Sequence, residues 1–579
     1  MARRAAFLTL LLLASATRAS LAAAAPAEDP RQLFRHGIPL EQEQDPLVPL
    51  GAQPVLRAAS IITFGPYVSR QVNVNALGND IVGDAANEPS LAVDPTNHNR
   101  MAIGWRQFDN VASNFRQAGF GYTTNGGTTW TAGKIQPGVF RSDPVLDADA
   151  AGTILYNSLT SDASGILSWI FRSTDGGATW GPSTFAYGGD KQWMTIDRDI
   201  SNVYQAWSIA GNNYLPNNFN KSNDDGVSWL PPSTMPFAPI WGTLAAAPHG
   251  APADGWLYVG GWATQADSLL GPAAVAISRD AQDHDSDPPL FVTNTVKLGG
   301  DLRTGAPNPA GLLGQVWIAV NRAPGPRYGW IYLLSSVQTP TDPLDVMFVR
   351  STGQGNTWSN PVRVNDDSPS NHAFQWFGTM SVSPSGRIDA VWNDTRGSAD
   401  STISALYYSY STDGGATWSA NVQVTPTWNC TIGYPNQQKI GDYYDTNSDD
   451  TGVDVAFAAT FNGGEDVYYL RIPNSASQTD VADGPRTLSP ALRSFPNPFT
   501  ATTTIRFDAP AGGGRIRLEV LDVAGRRVAT LVDGFRTGGG QSVVWNGRRS
   551  DGSEAAPGVY LCRLHGAGVT QTDRILRIR

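Results

Sequence analysis

Ser411-Thr412-Asp413-Gly414-Gly415-Ala416-Thr417-Trp418 recurs letter for letter at residues 173–180. Looser copies stand at 123–130 (TTNGGTTW), 222–229 (SNDDGVSW) and 351–358 (STGQGNTW). A phrase repeated at roughly fifty to seventy residues is the mark of a modular all-β ring. Each copy closes a unit with the same plan. An apolar strand ends in an acidic turn, two more strands follow, and the phrase leads into a fourth.

In the first unit these are residues 89–94, 101–105, 119–123 and the stretch after Trp130, and the second unit offers 144–147, 153–157 and 169–173. A third starts at Trp193, weaker copies start near Trp241, Gln315 and Phe377, and a last one at Gly441 ends in DVYYLRI, residues 466–472. A four-stranded unit with two apolar faces cannot fold alone, so the units must stack radially. The expected architecture is a seven-bladed β-propeller, with six blades as the alternative. The last unit lacks its own fourth strand, while YVSRQVNVNA at 67–76 alternates apolar and polar residues ahead of the first unit. Pairing the two would close the ring and leave no open edge.

The flanks read differently. Arg3 and Arg4, an apolar run at 5–14 and the small residues up to Ala25 describe a secretory signal peptide, so the mature chain is expected outside the cell with no transmembrane segment. Residues 26–59 are a leader or linker, the ring occupies 60–472, and 473–494 is a Gly-, Ser-, Pro- and Asp-rich linker. Six or seven short strands in 495–579 indicate a small Ig-like β-sandwich. Composition agrees: 16% charged residues, 60 Gly, 40 Pro and 18 Trp among 579 residues fit many short strands joined by turns. A net charge of −10 argues against nucleic acid as a partner. Cys430 and Cys562 are the only cysteines, far apart, and provide no disulfide framework.

The phrase S-x-D-x-G-x-x-W resembles the Asp-box, or bacterial neuraminidase repeat, of sialidases and related propellers. The resemblance implies that Asn125, Asp175, Asp224 and Asp413 tie down turn amides and that Trp130, Trp180, Trp229, Trp358 and Trp418 pack between strands. It also implies that the boxes lie on the face opposite the active site. FPNPF at 495–499, LDVAGR at 521–526, WNG at 545–547 and PGVY at 557–560 resemble the Ig-like domain related to the flagellar hook-capping protein and the type IX secretion sorting domain. That likeness implies passage through an outer-membrane export machinery of a Gram-negative-type bacterium, followed by release or attachment at the cell surface.

Turns leading into the innermost strands of a propeller face the mouth of its channel. Here they carry Glu88, Asp143, Asp190 with Lys191, and Asp442, a ring of carboxylates suited to a cation or a hydroxyl-rich sugar. Lys191, Trp193, Asp394 and Asp442 belong to phrases that resemble motifs of secreted sialidase-like propellers and are candidate ligand contacts, as is Trp376 at another strand head. The expected function is binding or processing of extracellular glycan or glycoprotein; an exo-sialidase and a structural surface protein are the alternatives. The sialidase resemblance would need three arginines from Arg106, Arg363 and Arg396, Tyr443 as nucleophile and Asp143 or Asp190 as acid. The family's Arg-Ile-Pro motif occurs only at 471–473, at the wrong end of the ring. No cofactor is required, and calcium is the metal the sequence admits. Residues 445–454 (DTNSDDTGVD) suggest a calcium loop, but Gly is at the eighth position and Ala456 stands where Glu is needed. DAQDHDSD at 280–287 reads as a degraded box, with metal binding as the alternative.

Overall fold

The structure is a computed structural model that describes residues 45–49, 51 and 54–578, apart from 163–164, 209–211, 237–238, 264–271, 370, 475–491, 496, 510–513, 524, 537–538 and 567–568. The expected signal peptide, most of the leader and most of the second linker lie outside the described residues. Every regular element among those residues is a strand. The chain divides into two compact units, Met1–Gln478 and Thr479–Arg579.

The first unit is a seven-bladed propeller. Blade 1 is Ala85–Val93, Met101–Phe108, Gln117–Thr123 and Thr131–Ile135, and blade 2 is Ser142–Ala148, Ile154–Asp162, Gly165–Ser173 and Thr184–Phe185. Blade 3 keeps three strands, from Trp193–Asp197 to Phe219–Ser222, while blades 4, 5 and 6 begin at Leu244–Ala246, Trp317–Val320 and Gln375–Val382. Blade 7 takes Asp445–Asp449, Gly452–Ala459 and Asp466–Pro473 from the end of the ring and Tyr67–Gln71 from its beginning. Ser69 pairs with Leu470 and Gln71 with Tyr468, which is the closure the unassigned strand predicted. Ile61–Phe64 adds a fifth strand outside it. Leu56–Ala58, expected as linker, pairs with Asn79–Ile81.

The repeated phrase works as a turn lock and as a joint. Ser173 Oγ donates to Asp175 Oδ1 at 2.8 Å and accepts from Gly177 N at 2.8 Å, while Asp175 accepts from Thr179 N at 2.9 Å and Thr179 Oγ1 at 2.6 Å. Asp224 and Asp413 repeat these bonds, and Asn125 reproduces them with Thr123 and Thr129. Residues 280–287 prove to be a fourth-blade version, since Ser278 Oγ donates to Asp280 Oδ1 at 2.8 Å. The glycine at the fifth position of each of the five boxes has positive φ and lies against the preceding blade. A Cβ on Gly177 would fall 2.6 Å from Ala102, on Gly127 2.0 Å from Tyr469, and on Gly415 2.0 Å from Phe348. Trp180 meets Phe120 of blade 1 and Trp418 meets Phe348 of blade 5, both edge to face.

The supposed calcium loop at 445–454 is a β-hairpin. Asp445 Oδ2 accepts from Ser90 Oγ at 2.8 Å and Leu91 N at 2.9 Å, so it fastens blade 7 to blade 1.

The second unit is a sandwich. A three-stranded sheet (Arg493–Phe495, Thr503–Ala509, Gly539–Trp545) faces a four-stranded one (Gly514–Asp522, Arg527–Arg536, Gly558–Gly566, Val569–Arg577). Trp545 packs between Phe499 and Tyr560 in its core. Its signature residues serve that fold: Asp522 closes the turn to Arg526, and Trp545 Nε1 donates to Arg548 O at 2.9 Å. Cys430 and Cys562 are buried free thiols, one in each unit, and burial pushes both up to about 12.

Candidate functional site

The inner strands enter the channel through one recurring backbone device. Glu88, Asp143, Lys191, Trp241 and Phe377, each at the head of an inner strand, have φ of 52°, 46°, 56°, 53° and 58°, and Gly441 has 93°. Left-handed backbone at a residue with a Cβ costs about 1–2 kcal/mol, so it persists only where surrounding structure fixes it. In blades 1, 2 and 6 the pairing register slips at this point, as in a bulge. The kink turns the charged side chains of blades 1, 2, 3 and 7 toward one another.

They meet in a closed network. Lys191 Nζ donates to Asp442 Oδ2 at 2.7 Å and lies 3.8 Å from Asp143 Oδ2. Lys439 Nζ reaches the same Asp442 oxygen at 2.6 Å and Glu88 Oε1 at 3.0 Å. Arg106 Nε is 3.1 Å from Glu88 Oε2 and donates to Asn87 Oδ1 at 2.8 Å, and its Nη1 donates to Gln437 Oε1 at 3.0 Å. Asp442 Oδ1 accepts from Leu312 N at 2.9 Å, and Asn308 Nδ2 donates to Gly441 O at 2.8 Å. The predicted ring of carboxylates therefore exists, but it is not an open mouth. Glu88, Asp143, Asp190 and Asp442 are each at most 1% exposed. The cover comes from the hairpin at Thr304–Gly305 and Asn308–Leu312 and from the loop bearing Gln437 and Lys439.

Burial raises the Glu88 carboxyl to about 7 against the pull of Arg106 and Lys439, and raises Asp190 to about 7 against Lys191. Burial also opposes the charged forms of Asp143 and Asp442, yet Lys191 and its neighbouring cations outweigh it and hold both low. Two acids thus keep protons that the unfolded chain releases at lower pH. A group whose folded pKa is raised makes stability fall as pH rises from the unfolded to the folded value, here from about pH 4.5 to about pH 7. The expected result is a propeller that melts several degrees lower at about pH 8 than at about pH 5. In Glu88→Gln that difference should shrink when followed by circular dichroism.

The other predicted residues go elsewhere. Tyr443 donates its hydroxyl to Pro144 O at 2.8 Å, and burial together with Glu88 and Asp143 drives its phenol well above 10. Arg363 and Arg396 converge on Asp367 at 2.9 and 3.6 Å, whereas Arg106 pairs with Glu88. Asp394 is locked to Arg396 and to Trp392 Nε1 at 2.8 Å. Trp376 is fully buried, donates to Ser404 Oγ at 3.1 Å and packs on Phe377, so it offers no face to a sugar. Trp193 stands edge to face between Trp317 and Tyr443 and lines a channel cavity of about 240 Å³, whose wall includes Asp147, Arg198, Ser381 and Asn447.

Sequence reasoning missed Lys439 and Gln437, which reach the network from a loop, and Asn308, which reaches it from a short hairpin strand, none with a periodic signal. It also missed an aromatic strip on blades 2 and 3. Trp169 meets Phe185 at 5.4 Å, Phe185 meets Tyr187 at 4.9 Å, Tyr187 meets Tyr214 at 5.5 Å, and Tyr214 meets Trp207 at 6.3 Å. Phe185 is 37% exposed, and Trp169, Tyr187 and Tyr214 are half-buried. The strand Thr184–Phe185 ends at Phe185 and Tyr187 turns with φ of 62°, so the two rings meet through a turn that no strand periodicity in the sequence signals.

No family model matches the chain, and no curated protein matches it. Among solved structures it is similar to a GH74 xyloglucanase from Xanthomonas campestris, at 15% identity and a TM-score of 0.38 over 70% of this chain. That match spans 59% of the xyloglucanase, less than two thirds of its length. An α-L-arabinanase from Penicillium chrysogenum is similar at 14% identity and TM-score 0.37, over 59% of this chain and 94% of that one. A leech intramolecular trans-sialidase is similar at 13% identity and TM-score 0.33, over 68% and 69%.

Proposed function

We propose that this chain is an exported, surface-associated propeller that binds extracellular glycan or glycoprotein, with the C-terminal sandwich serving export and sorting. The observation that carries the reading is the aromatic strip from Trp169 to Trp207. Its rings Trp169, Phe185, Tyr187 and Tyr214 are partly exposed, with apolar faces that suit the C–H faces of sugars, and the row ends on the buried Trp207. It leads inward, since Trp207 lies against Gly189, two residues before Lys191.

Binding is favoured over sialoside cleavage because the retaining mechanism lacks its parts. Tyr443 is protonated and committed to a backbone carbonyl, and Arg106 stands apart from Arg363 and Arg396. A glycan array probed with the full-length chain, beside a fluorogenic sialoside and glycoside panel with and without calcium, tests both halves. Retention on at least one glycan class is expected, weakened about tenfold in Phe185→Ala or Tyr214→Ala, with no sialoside turnover. Turnover lost in Tyr443→Phe would restore the sialidase reading. Failure to retain any glycan would leave a structural surface protein.

A further inference from the structure

Asp80, Asp84 and Asp466 come together where the first part of the chain closes the ring against blade 7. Each gives one carboxylate oxygen to a group of three lying within 4.8 Å of one another. All three side chains are at least nine-tenths buried, with exposures of 0%, 4% and 2%. Gln71 Nε2 and the Arg57 guanidinium hold Asp80, Gln107 Nε2 donates to Asp84 Oδ2 at 2.9 Å, and Asn73 Nδ2 donates to Asp466 Oδ1 at 2.7 Å.

Two observations separate this cluster from ordinary acidic crowding. Oδ2 of Asp466 is buried without a hydrogen bond of normal geometry. Asn462 is beside it but directs its Nδ2 to Gln71 Oε1 at 3.5 Å. Among the described residues the cluster's one ion pair is Arg57 with Asp80, while Lys134 is spent on Asp109 at 2.8 Å. Among the described residues, the other two such groupings each include a histidine: His98 with Asp449 and Asp454, where Arg471 bridges both acids, and His249 with Asp197 and Asp199, where Arg322 reaches Asp199.

We propose that Asp80, Asp84 and Asp466 bind a calcium ion that fastens the ring at its seam. The donors are all oxygens, with no imidazole or thiolate, which selects a hard cation over zinc or copper. Calcium is preferred to magnesium because three carboxylates from two stretches of chain, Asp80 with Asp84 and Asp466, do not impose the strict octahedron magnesium demands. Three carboxylates this close repel one another in a dry setting, and a divalent cation relieves that repulsion while supplying the missing partner of Asp466 Oδ2. The site is independent of what the mouth or the aromatic strip does.

The test is thermal unfolding of the full-length chain after chelation, then with calcium or magnesium added, beside terbium luminescence displaced by calcium. Calcium at about a hundred times its dissociation constant should raise the midpoint by ~3 °C in a ring of this size, and magnesium by less. Asp84→Asn and Asp466→Asn should each abolish the calcium shift and the terbium signal. Their metal-free midpoints should equal or exceed that of the parent, because a repelling charge is gone. Identical midpoints with chelator and calcium, or a calcium shift that survives in both variants, would overturn the proposal. Should one variant fail to fold, the other variant and the terbium titration of the parent decide it.

Discussion

Replacing Lys439 by methionine is expected to lower the unfolding free energy of the propeller by about 3–5 kcal/mol, the range for breaking a buried ion pair from one side. Its ammonium is 1% exposed and joins Glu88 to Asp442. Methionine fills most of the space but leaves both acids in a dry site with one cation fewer. Asp442 suffers most, because it depends on Lys191, Lys439 and Arg106 to stay charged against burial. The double variant Lys439→Met/Glu88→Gln should recover part of the loss, since neutralising Glu88 removes one acid that Lys439 served. Urea unfolding followed by tryptophan fluorescence measures this in the right unit, because all but Trp545 of the 18 tryptophans precede residue 479. A loss below about 1 kcal/mol would mean that the network contributes no more than an exposed ion pair.

Gly415→Ala should cost about 3 kcal/mol. Some 1–2 kcal/mol comes from φ of +77° on a residue with a Cβ, and the rest from forcing that carbon against the Phe348 ring 2.0 Å away. Gly463 has φ of +86° with nothing within 4 Å, so Gly463→Ala isolates the backbone cost and should lose only about 1–2 kcal/mol. Equal losses at the two positions would show that the box does not press on its neighbour. Gly127→Ala, facing Tyr469 at 2.0 Å, should behave like Gly415→Ala and weaken the junction between the first and last blades.

The ring was legible because its information is local and repeated. Each box has its Ser or Thr and its fifth-position glycine, and all but the copy at 351–358 an Asp or Asn, for reasons internal to eight residues, so the copies announce blades even where Asp280 stands in a run without the tryptophan. The closing strand was legible by subtraction, as an alternating stretch left without a blade. The charged residues of the mouth were found because they occupy the same place in successive repeats. Their state was not, because exposure depends on what crosses above them. Lys439 and Asn308 lie in connections whose path no periodicity encodes, and they convert an open ring of acids into a sealed network. Trp376 misled for the same reason, since a tryptophan at a strand head can point outward or into the sheet, and its indole found Ser404. The seam aspartates were invisible, because Asp80 and Asp84 come close to Asp466 only after the ring has closed.

The strand that completes blade 7 is among the first parts of the ring to be made and the last to find its partner. Contacts such as Ser69 with Leu470 span about 400 residues, and closing so long a loop costs about 5 kcal/mol of chain entropy before any return from pairing. Folding of this unit is therefore expected to be slow and to end in a single late step, with six blades assembled around a gap. Until that step, the edges of Tyr67–Gln71 and Asp466–Pro473 are open to proteases and to the strands of other chains.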